Sequence, residues 1–517
     1  MTRIQIYDTT LRDGAQTEGI SFSREDKLEI IERLDAFGMD FIEGGMPPSN
    51  PKDQEIFGDP PKLRNSRLVA FGSTCRPNVK ASDDEGLKVL MSCACEWVCI
   101  FGKAWDFHVT EALGTTLDEN LRMVRDSISY LKSEGKKVIF DAEHFFDGYR
   151  ANDGYAMDVL KAASEAEWIV LCDTNGGNVP TFIGEVTAKV VRETGKCIGI
   201  HCHNDSDMAT ACSLSAVRNG ATMVQGTVNG IGERCGNANL CSVIPNLKFK
   251  LGCNVPMDLT NLTTLSYSIA EIANIRHVPH MPFVGEKAFA HKGGMHVSAL
   301  MKDTRTYEHI PPESVGNKRQ ILISDMSGRA SISEKIREMG IDADDATIER
   351  IKETVKEKES VGYQYEGADA SLRLLIERTK GNVSQPFTVE GFRLSIDGIG
   401  VTDLQSEASI KVKDDSGNIE HTASDGDGPV NALDKSLRKA LSKFYPVINN
   451  IRLTDYKVRV LDERAATAAR VRVLIRSTDG RTTWSTVGVS ENVIEASLIA
   501  LSDSMEYAIM TEKGMKQ

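Results

Sequence analysis

Short β-branched runs alternate with longer amphipathic stretches through the first half of the chain. The strand-like runs are RIQIYDTT, DFIEGG, RLVAFGST, WVCIFGK, KVIFDAE, WIVLCDT, CIGIHCHN and MVQGTVN. Between them lie segments such as REDKLEIIERLDAFG and TTLDENLRMVRDSISYLKSEG, whose apolar residues recur at helical spacing. Eight such units, ending near residue 253, predict a (β/α)8 barrel. A doubly wound open sheet is the rival architecture, because periodicity does not show closure.

The pattern then changes twice. The segment AFAHKGGMHVSALMKDTRTYEHIPPESVG leads to helical runs near Ser331–Met339 and Asp344–Lys358, the texture of a linker or lid. From Pro386 a sheet-plus-helix texture begins and is repeated: SIKVKDD and NIEHTAS precede VNALDKSLRKAL, and RVRVLIRS and TTWSTVG precede NVIEASLIALSDSM. Aligning Asn431 with Asn492, Asp434 with Glu495 and Ser436 with Ser497 makes this a duplicated α+β unit. The expected division is 1–280 for the barrel, 281–380 for linker subdomains and 381–517 for the duplicated domain.

Composition narrows the functional classes. The 517 residues exceed what one core usually serves, and 41% hydrophobic with 26% charged residues describes an ordinary globular protein. A net charge of -13 argues against a nucleic-acid partner, since phosphate binding needs clustered Lys and Arg. The start MTRIQIYDTT is no signal peptide, and no run of about 18 apolar residues occurs. A cytoplasmic enzyme with no membrane partner is the expectation. The 11 cysteines sit mostly in apolar runs, as reduced thiols do, and Cys93, Cys95 and Cys99 lack the spacing of a zinc knuckle.

Barrel enzymes carry their chemistry at the C-terminal ends of the strands, and polar residues gather there. Asp13, Glu43, Ser73, Thr74, Lys103, Glu143, Asp173, Thr174, His201, His203 and Asn229 each end or follow a strand. The sharpest signal is His201-Cys202-His203, because positions i and i+2 of a strand share a face and two imidazoles can ligate one ion. Asp13, on a strand next but one to theirs in a closed barrel, could add a carboxylate, and Asn237 in GIGERCGNAN a further oxygen. Mixed nitrogen and oxygen donors suit Mn²⁺, Mg²⁺ or Zn²⁺ alike. Arg12 could stabilise an oxyanion or enolate. Glu143 and His144 end the fifth strand, where a carboxylate could orient a base. His296 in KGGMH could move a proton near physiological pH.

The run YDTTLRDGAQTEG, followed in order by HCHND, NGIGERCGNA, AHKGGMH and DGDGPVNALD, resembles the family of 2-isopropylmalate, homocitrate and citramalate synthases. The resemblance extends over the whole chain. EGGMPPSNPKD and FDAEHFFDGY are most similar to the long-form citramalate synthases, although Met46-Pro47-Pro48 stands where that pattern usually has Trp-Pro-Gly. The resemblance implies an acyltransferase that condenses acetyl-CoA with a 2-keto acid, pyruvate on the isoleucine route, with 2-ketoisovalerate on the leucine route as the alternative acceptor. It implies Asp13, His201, His203 and Asn237 as ligands of a divalent metal. Arg12, Glu43, Glu143 and Thr174 would serve the keto acid, and His296 with Glu143 and Tyr307 the acetyl proton. It further implies a homodimer whose C-terminal domain binds an amino-acid effector. Gly426, Gly428, Pro429 and Asn431 in DGDGPVNA form a turn before a helix, whose free N–H groups could hold the effector's carboxylate.

Two other classes are distinguishable from this one. A lyase running C–C cleavage on a CoA thioester would use a cysteine near Cys235 but resembles only the barrel part. An amino-acid sensor on a degenerate barrel would have no use for Arg12, Asp13, His201 and His203 together.

Overall fold

The computed structural model describes residues 2–324, 327–381, 385–399, 402–461 and 469–514. The chain forms two compact units, Met1–Phe289 with Ile310–Lys318, and Ala290–His309 with Arg319–Gln517.

The first unit is a closed parallel barrel of β1 (Gln5–Asp8), β2 (Phe41–Gly45), β3 (Arg67–Ser73), β4 (Trp97–Lys103), β5 (Lys137–Glu143), β6 (Trp168–Asp173), β7 (Ile198–Cys202) and β8 (Met223–Gly226). Closure is made by β1 on β8, from Gln5 opposite Met223 to Asp8 opposite Gly226, which excludes the open sheet. Strand alternation divides the apolar residues between two cores. Tyr7, Phe41, Val69, Phe71, Trp97, Cys99, Ile139, Val170, Cys172 and Met223 fill the barrel, with Phe41 and Trp97 edge to face at 5.0 Å. Their neighbours Ile6, Ile42, Leu68, Ala70, Val98, Ile100 and Phe140 face the surrounding helices.

Those helices begin and end where their sequence dictates. Arg24–Phe37 starts with a capping box between Ser23 and Asp26 and ends at Gly38, φ 93°, where a left-handed residue satisfies the last carbonyls. Ile30, Ile31, Leu34 and Phe37 form its buried stripe. Leu117–Ser133 is capped by the Thr116 side chain and buries Met123, Val124, Ile128 and Leu131.

The second unit opens with a short parallel pair, Ala290–His291 on Gln320–Ile321. The helices Arg329–Glu338, Asp345–Ser360 and Asp369–Lys380 follow, packed through Ile332, Ile336, Ile348, Ile351, Leu372 and Ile376. Two three-stranded antiparallel sheets come next, Phe387–Ile399, Thr402–Asp414 and Ile419–Gly426, then Arg452–Val460, Val471–Thr478 and Thr483–Ser490. Each is followed by a helix, Pro429–Leu441 and Val493–Glu512.

The duplication is real, but its register differs from the one aligned by sequence. Strand starts match Ile419 with Thr483 and helix starts match Pro429 with Val493, so Asn492 corresponds to Gly428 and not to Asn431. Thr422 and Thr486 confirm this, each donating its hydroxyl to a carbonyl on the following helix, Ser436 and Ala500. The residues used for the alignment, among them the buried Ser436 and Ser497, lie three positions out of that register, which the buried threonines fix.

Candidate active site

The C-terminal ends of the strands converge on a cavity of about 290 Å³ lined by Arg12, Asp13, Glu143, Thr174, His201 and His203 among others. His201 lies within β7 and His203 just beyond it, where His203 bridges Asn237. Their Nε2 atoms are 3.3 Å apart, and Asp13 Oδ2 lies 3.3 Å from His201 Nε2 and 3.9 Å from His203 Nε2. Asp13 is presented by a turn after β1 in which its N–H donates to Thr9 O. All three are buried, and they form the one metal-type cluster found among the described residues.

Asn237 enters through a close-packed loop. A Cβ on Gly236, φ 87°, would lie 2.0 Å from Gly230 O, and one on Gly232 would lie 2.1 Å from Asn237 Nδ2, so only glycine fits at either position. Asn237 Nδ2 donates to Ile231 O, while its buried Oδ1 has no protein partner. An orphaned buried acceptor beside an Asp–His–His cluster is what a cation ligand requires. The residues present therefore fit a divalent metal.

The charge balance agrees. Burial opposes ionisation of Asp13, but Arg12, His201 and His203 hold its carboxyl well below the usual range. Burial also opposes charge on His201, and there the hydrogen bond and charge of Asp13 prevail and raise it. Desolvation and then the neighbouring His201 push His203 down to about 4, leaving it neutral and available as a ligand at pH 7.

Arg12 stands beside this cluster, Nη1 3.6 Å from Asp13 Oδ2. Its Nε is hydrogen-bonded to Glu43 Oε1, and its guanidinium carbon lies 3.9 Å from the centroid of the Phe71 ring. Although burial works against the charge, Glu43 and Asp13 keep the guanidinium firmly protonated. Glu43 itself departs from expectation. It is fully buried behind Arg12, accepting 2.6 Å from Tyr7 OH, so it anchors Arg12 instead of lining the cavity.

Glu143 pairs with Lys103 at the rim. Thr174 Oγ1 accepts from His144 N at 2.8 Å, and its carbonyl accepts from Arg234 Nη2, which ties the Gly-rich loop to β6. Phe71 stacks on Phe101 at 5.5 Å, and with Met46 they form the apolar wall of the cavity. Sequence reasoning missed this wall, although Phe71 and Phe101 share the inward parity of their strands.

His296 and Tyr307 belong to the second unit, where their rings stack at 4.1 Å. Around the DGDGPVNA turn, Gly428 is the extended residue capping the helix and Pro429 its first position. Asn431 Oδ1 accepts from Asp427 N. Gly426 permits the turn, since a Cβ there would meet Ala432 N at 2.3 Å. The adjoining hollow of about 350 Å³ is lined by Asp397, Glu407, Asp425, Asp427 and Lys435. Four carboxylates surround a place where the sequence predicts an effector's carboxylate, and their charge opposes an anion there.

The chain belongs to the HMGL-like family, whose model matches residues 3–269. Residues 283–362 match the homocitrate synthase post-HMGL domain-like family and 366–509 the LeuA allosteric (dimerisation) domain. Within that class the chain is 53% identical to the (R)-citramalate synthase of Aquifex aeolicus, covering 99% of this chain and 98% of the relative. It is 51% identical to the (R)-citramalate synthase of Geobacter sulfurreducens, covering 98% of each. A probable 2-isopropylmalate synthase of Methanopyrus kandleri is 32% identical over 96% of this chain and 97% of the relative.

Proposed function

We propose that this chain is an acyltransferase that condenses acetyl-CoA with pyruvate and water to give (R)-citramalate and CoA, feeding isoleucine biosynthesis. The observation that carries the reading is a full-length identity of 53% to an (R)-citramalate synthase, joined to the Asp13–His201–His203 cluster beside Arg12. The wall of Phe71, Phe101 and Met46 favours the methyl group of pyruvate over the isopropyl group of 2-ketoisovalerate.

Asp13, His201, His203 and Asn237 would hold Mn²⁺, Mg²⁺ or Zn²⁺, which supplies Lewis acidity at the keto acid's carbonyl. Arg12, fixed by Glu43, offers a preorganised positive charge to the acceptor and to the alkoxide that develops on it. Thr174 and Glu143 border the cavity where the acceptor's carboxylate and keto group are oriented. The proton carrier in this reading is His296, whose ring stacks on Tyr307; once the acetyl methyl group has lost a proton, the carbanion attacks the keto carbon. Hydrolysis of the resulting thioester releases CoA.

The chain acts as a homodimer paired through the LeuA-type domain. Phe392, Ile396, Leu404 and Ile419 on one of its sheets and Tyr456, Val458 and Val460 on the other are exposed apolar residues, a composition suited to a second copy. The effector is isoleucine, bound at the DGDGPVNA turn with its ammonium group toward the acidic hollow. Free thiols throughout suit the cytoplasm, and among the described residues no helix is long and apolar enough to cross a membrane. The test is CoA release from acetyl-CoA and pyruvate before and after chelation. Release is expected to stop on chelation and to return with Mn²⁺, and undiminished release in chelator would refute the reading.

A further inference from the structure

Beside the Asp13–His201–His203 cluster runs a buried polar chain, reaching the lining of the same cavity at Asp141, that the reaction as described does not use. His201 Nδ1 is 2.8 Å from Gln225 Oε1, and Gln225 Nε2 donates to Asp141 Oδ1 at 2.9 Å. His201, Gln225 and Asp141 lie on β7, β8 and β5. Gln225 is fully buried, and Asp141 is 4% exposed. An amide and a carboxylate in a barrel interior whose side chains are mostly apolar carry a desolvation cost that apolar residues would avoid.

We propose that Gln225 and Asp141 are positioning residues that set the tautomer and ring angle of His201 for metal binding, an inference that rests on the metal reading above. The logic is one of donors and acceptors. An ionised carboxylate only accepts, so Asp141 turns the NH₂ end of the Gln225 amide toward itself. The carbonyl end is then left facing His201, which satisfies it only with a proton on Nδ1. A neutral imidazole protonated at Nδ1 has its lone pair on Nε2, the atom that faces Asp13 Oδ2 and His203 Nε2. An amide flip alone would present NH₂ to Nδ1 and favour the other tautomer, and Asp141 prevents it. His203 has no such relay, since its buried Nδ1 meets no protein partner. The two histidines are therefore unequal, with His201 locked and His203 Nε2 held only by its neighbours Asp13 and His201.

The test is Mn²⁺ affinity of the full-length protein by calorimetry, with melting temperature as the control for folding. Gln225→Met keeps the side-chain length and removes both hydrogen bonds, and it is expected to weaken binding by about 10- to 100-fold, as loss of an outer-shell partner does. Gln225→Glu keeps an acceptor for Nδ1 and should restore most of that loss. This rescue distinguishes orientation from packing, because Glu beside Asp141 should fold no better than Met. If Gln225→Met fails to fold, Asp141→Asn answers the same question: it frees the amide to flip and should weaken binding with the melting temperature held. Affinity unchanged in folded Gln225→Met, or in Asp141→Asn, would overturn the positioning role. His203→Ala separates this from failure of the site itself, since Mn²⁺ binding that survives His203→Ala would remove the metal site and leave nothing to position.

Discussion

The barrel rim and the turn of the C-terminal repeat were both expected to hold an anion, and they are built in opposite ways. At the rim, Asp13, Glu43, Glu143, His201 and Arg12 stand on or next to strands whose positions are fixed by a closed hydrogen-bonded ring. Each charge there has a partner: Arg12 on Glu43, Glu143 on Lys103, Asp13 on His201. At the turn, Asp397, Glu407, Asp425 and Asp427 line the hollow with a single cation, Lys435. The rim is preorganised for an electrophilic keto acid with a metal. The turn borders an acidic hollow, a setting that opposes an anion. Strand ends place side chains within tenths of an ångström of a productive geometry, and loops on a paired domain leave that to the ligand and the partner.

Four perturbations sharpen this contrast. The largest effect belongs to His203→Ala, which removes a donor of the cluster. It should lower kcat by about three orders of magnitude, corresponding to several kcal/mol of lost transition-state stabilisation, read by CoA release at saturating Mn²⁺. Next is Arg12→Lys, which keeps a charge but not the planar contact with Glu43 and Phe71. A loss of about 100-fold in kcat/KM for pyruvate is expected, and a loss below tenfold would deny Arg12 its role in the transition state.

Gly428→Asp tests the other region. An added carboxylate at the helix start, where Gly428 caps the helix and the effector's own carboxylate would sit, should repel that group and raise the isoleucine concentration for half-inhibition by about 5- to 150-fold. Activity without isoleucine should be unchanged, because the substitution lies in the second unit and meets nothing within 4 Å. Inhibition that persists at the parent concentration would remove the turn from the effector site.

The smallest effect concerns Asp8, a fully buried carboxyl at the end of β1. Burial, opposed in part by hydrogen bonds from Thr10, raises the Asp8 carboxyl from 3.8 to about 7. The folded state thus holds a proton that the unfolded state has released. Its stabilising contribution is full below about pH 4 and is lost as pH rises through about 7, following the excess of protons bound by the native state. Asp8→Asn carries no such dependence. Its melting temperature should therefore gain on the parent's from pH 4 to pH 8, by a few degrees at pH 8, and a constant difference would show that folding does not raise the Asp8 carboxyl.

What the sequence made legible follows the same division. Eight strands, their helices and the Asp13, His201 and His203 cluster were readable, because strand parity and the rule of C-terminal ends convert position directly into direction. Glu43 shared that rim in sequence, yet it is buried behind Arg12, since parity gives a side and not a depth. Gln225 and Asp141 carry no local motif, and their contact exists only because the closed barrel brings β8 and β5 together. The repeat was legible as a duplication, but its register rested on surface asparagines when the informative residues were the buried Thr422 and Thr486. The acidity of the DGDGPVNA hollow depended on Asp397 and Glu407 from distant strands, which no local motif contains.

The central claim, a rim cavity whose aromatic wall selects the smallest keto acid, is tested most directly by kcat/KM measured side by side. Pyruvate, 2-ketobutyrate, 2-ketoisovalerate and 2-ketoglutarate should each be offered to the full-length protein with acetyl-CoA and Mn²⁺. The account predicts the highest value for pyruvate and a fall of about 10- to 200-fold for each methylene or branch the wall must accommodate. A higher value for 2-ketoisovalerate than for pyruvate would contradict it.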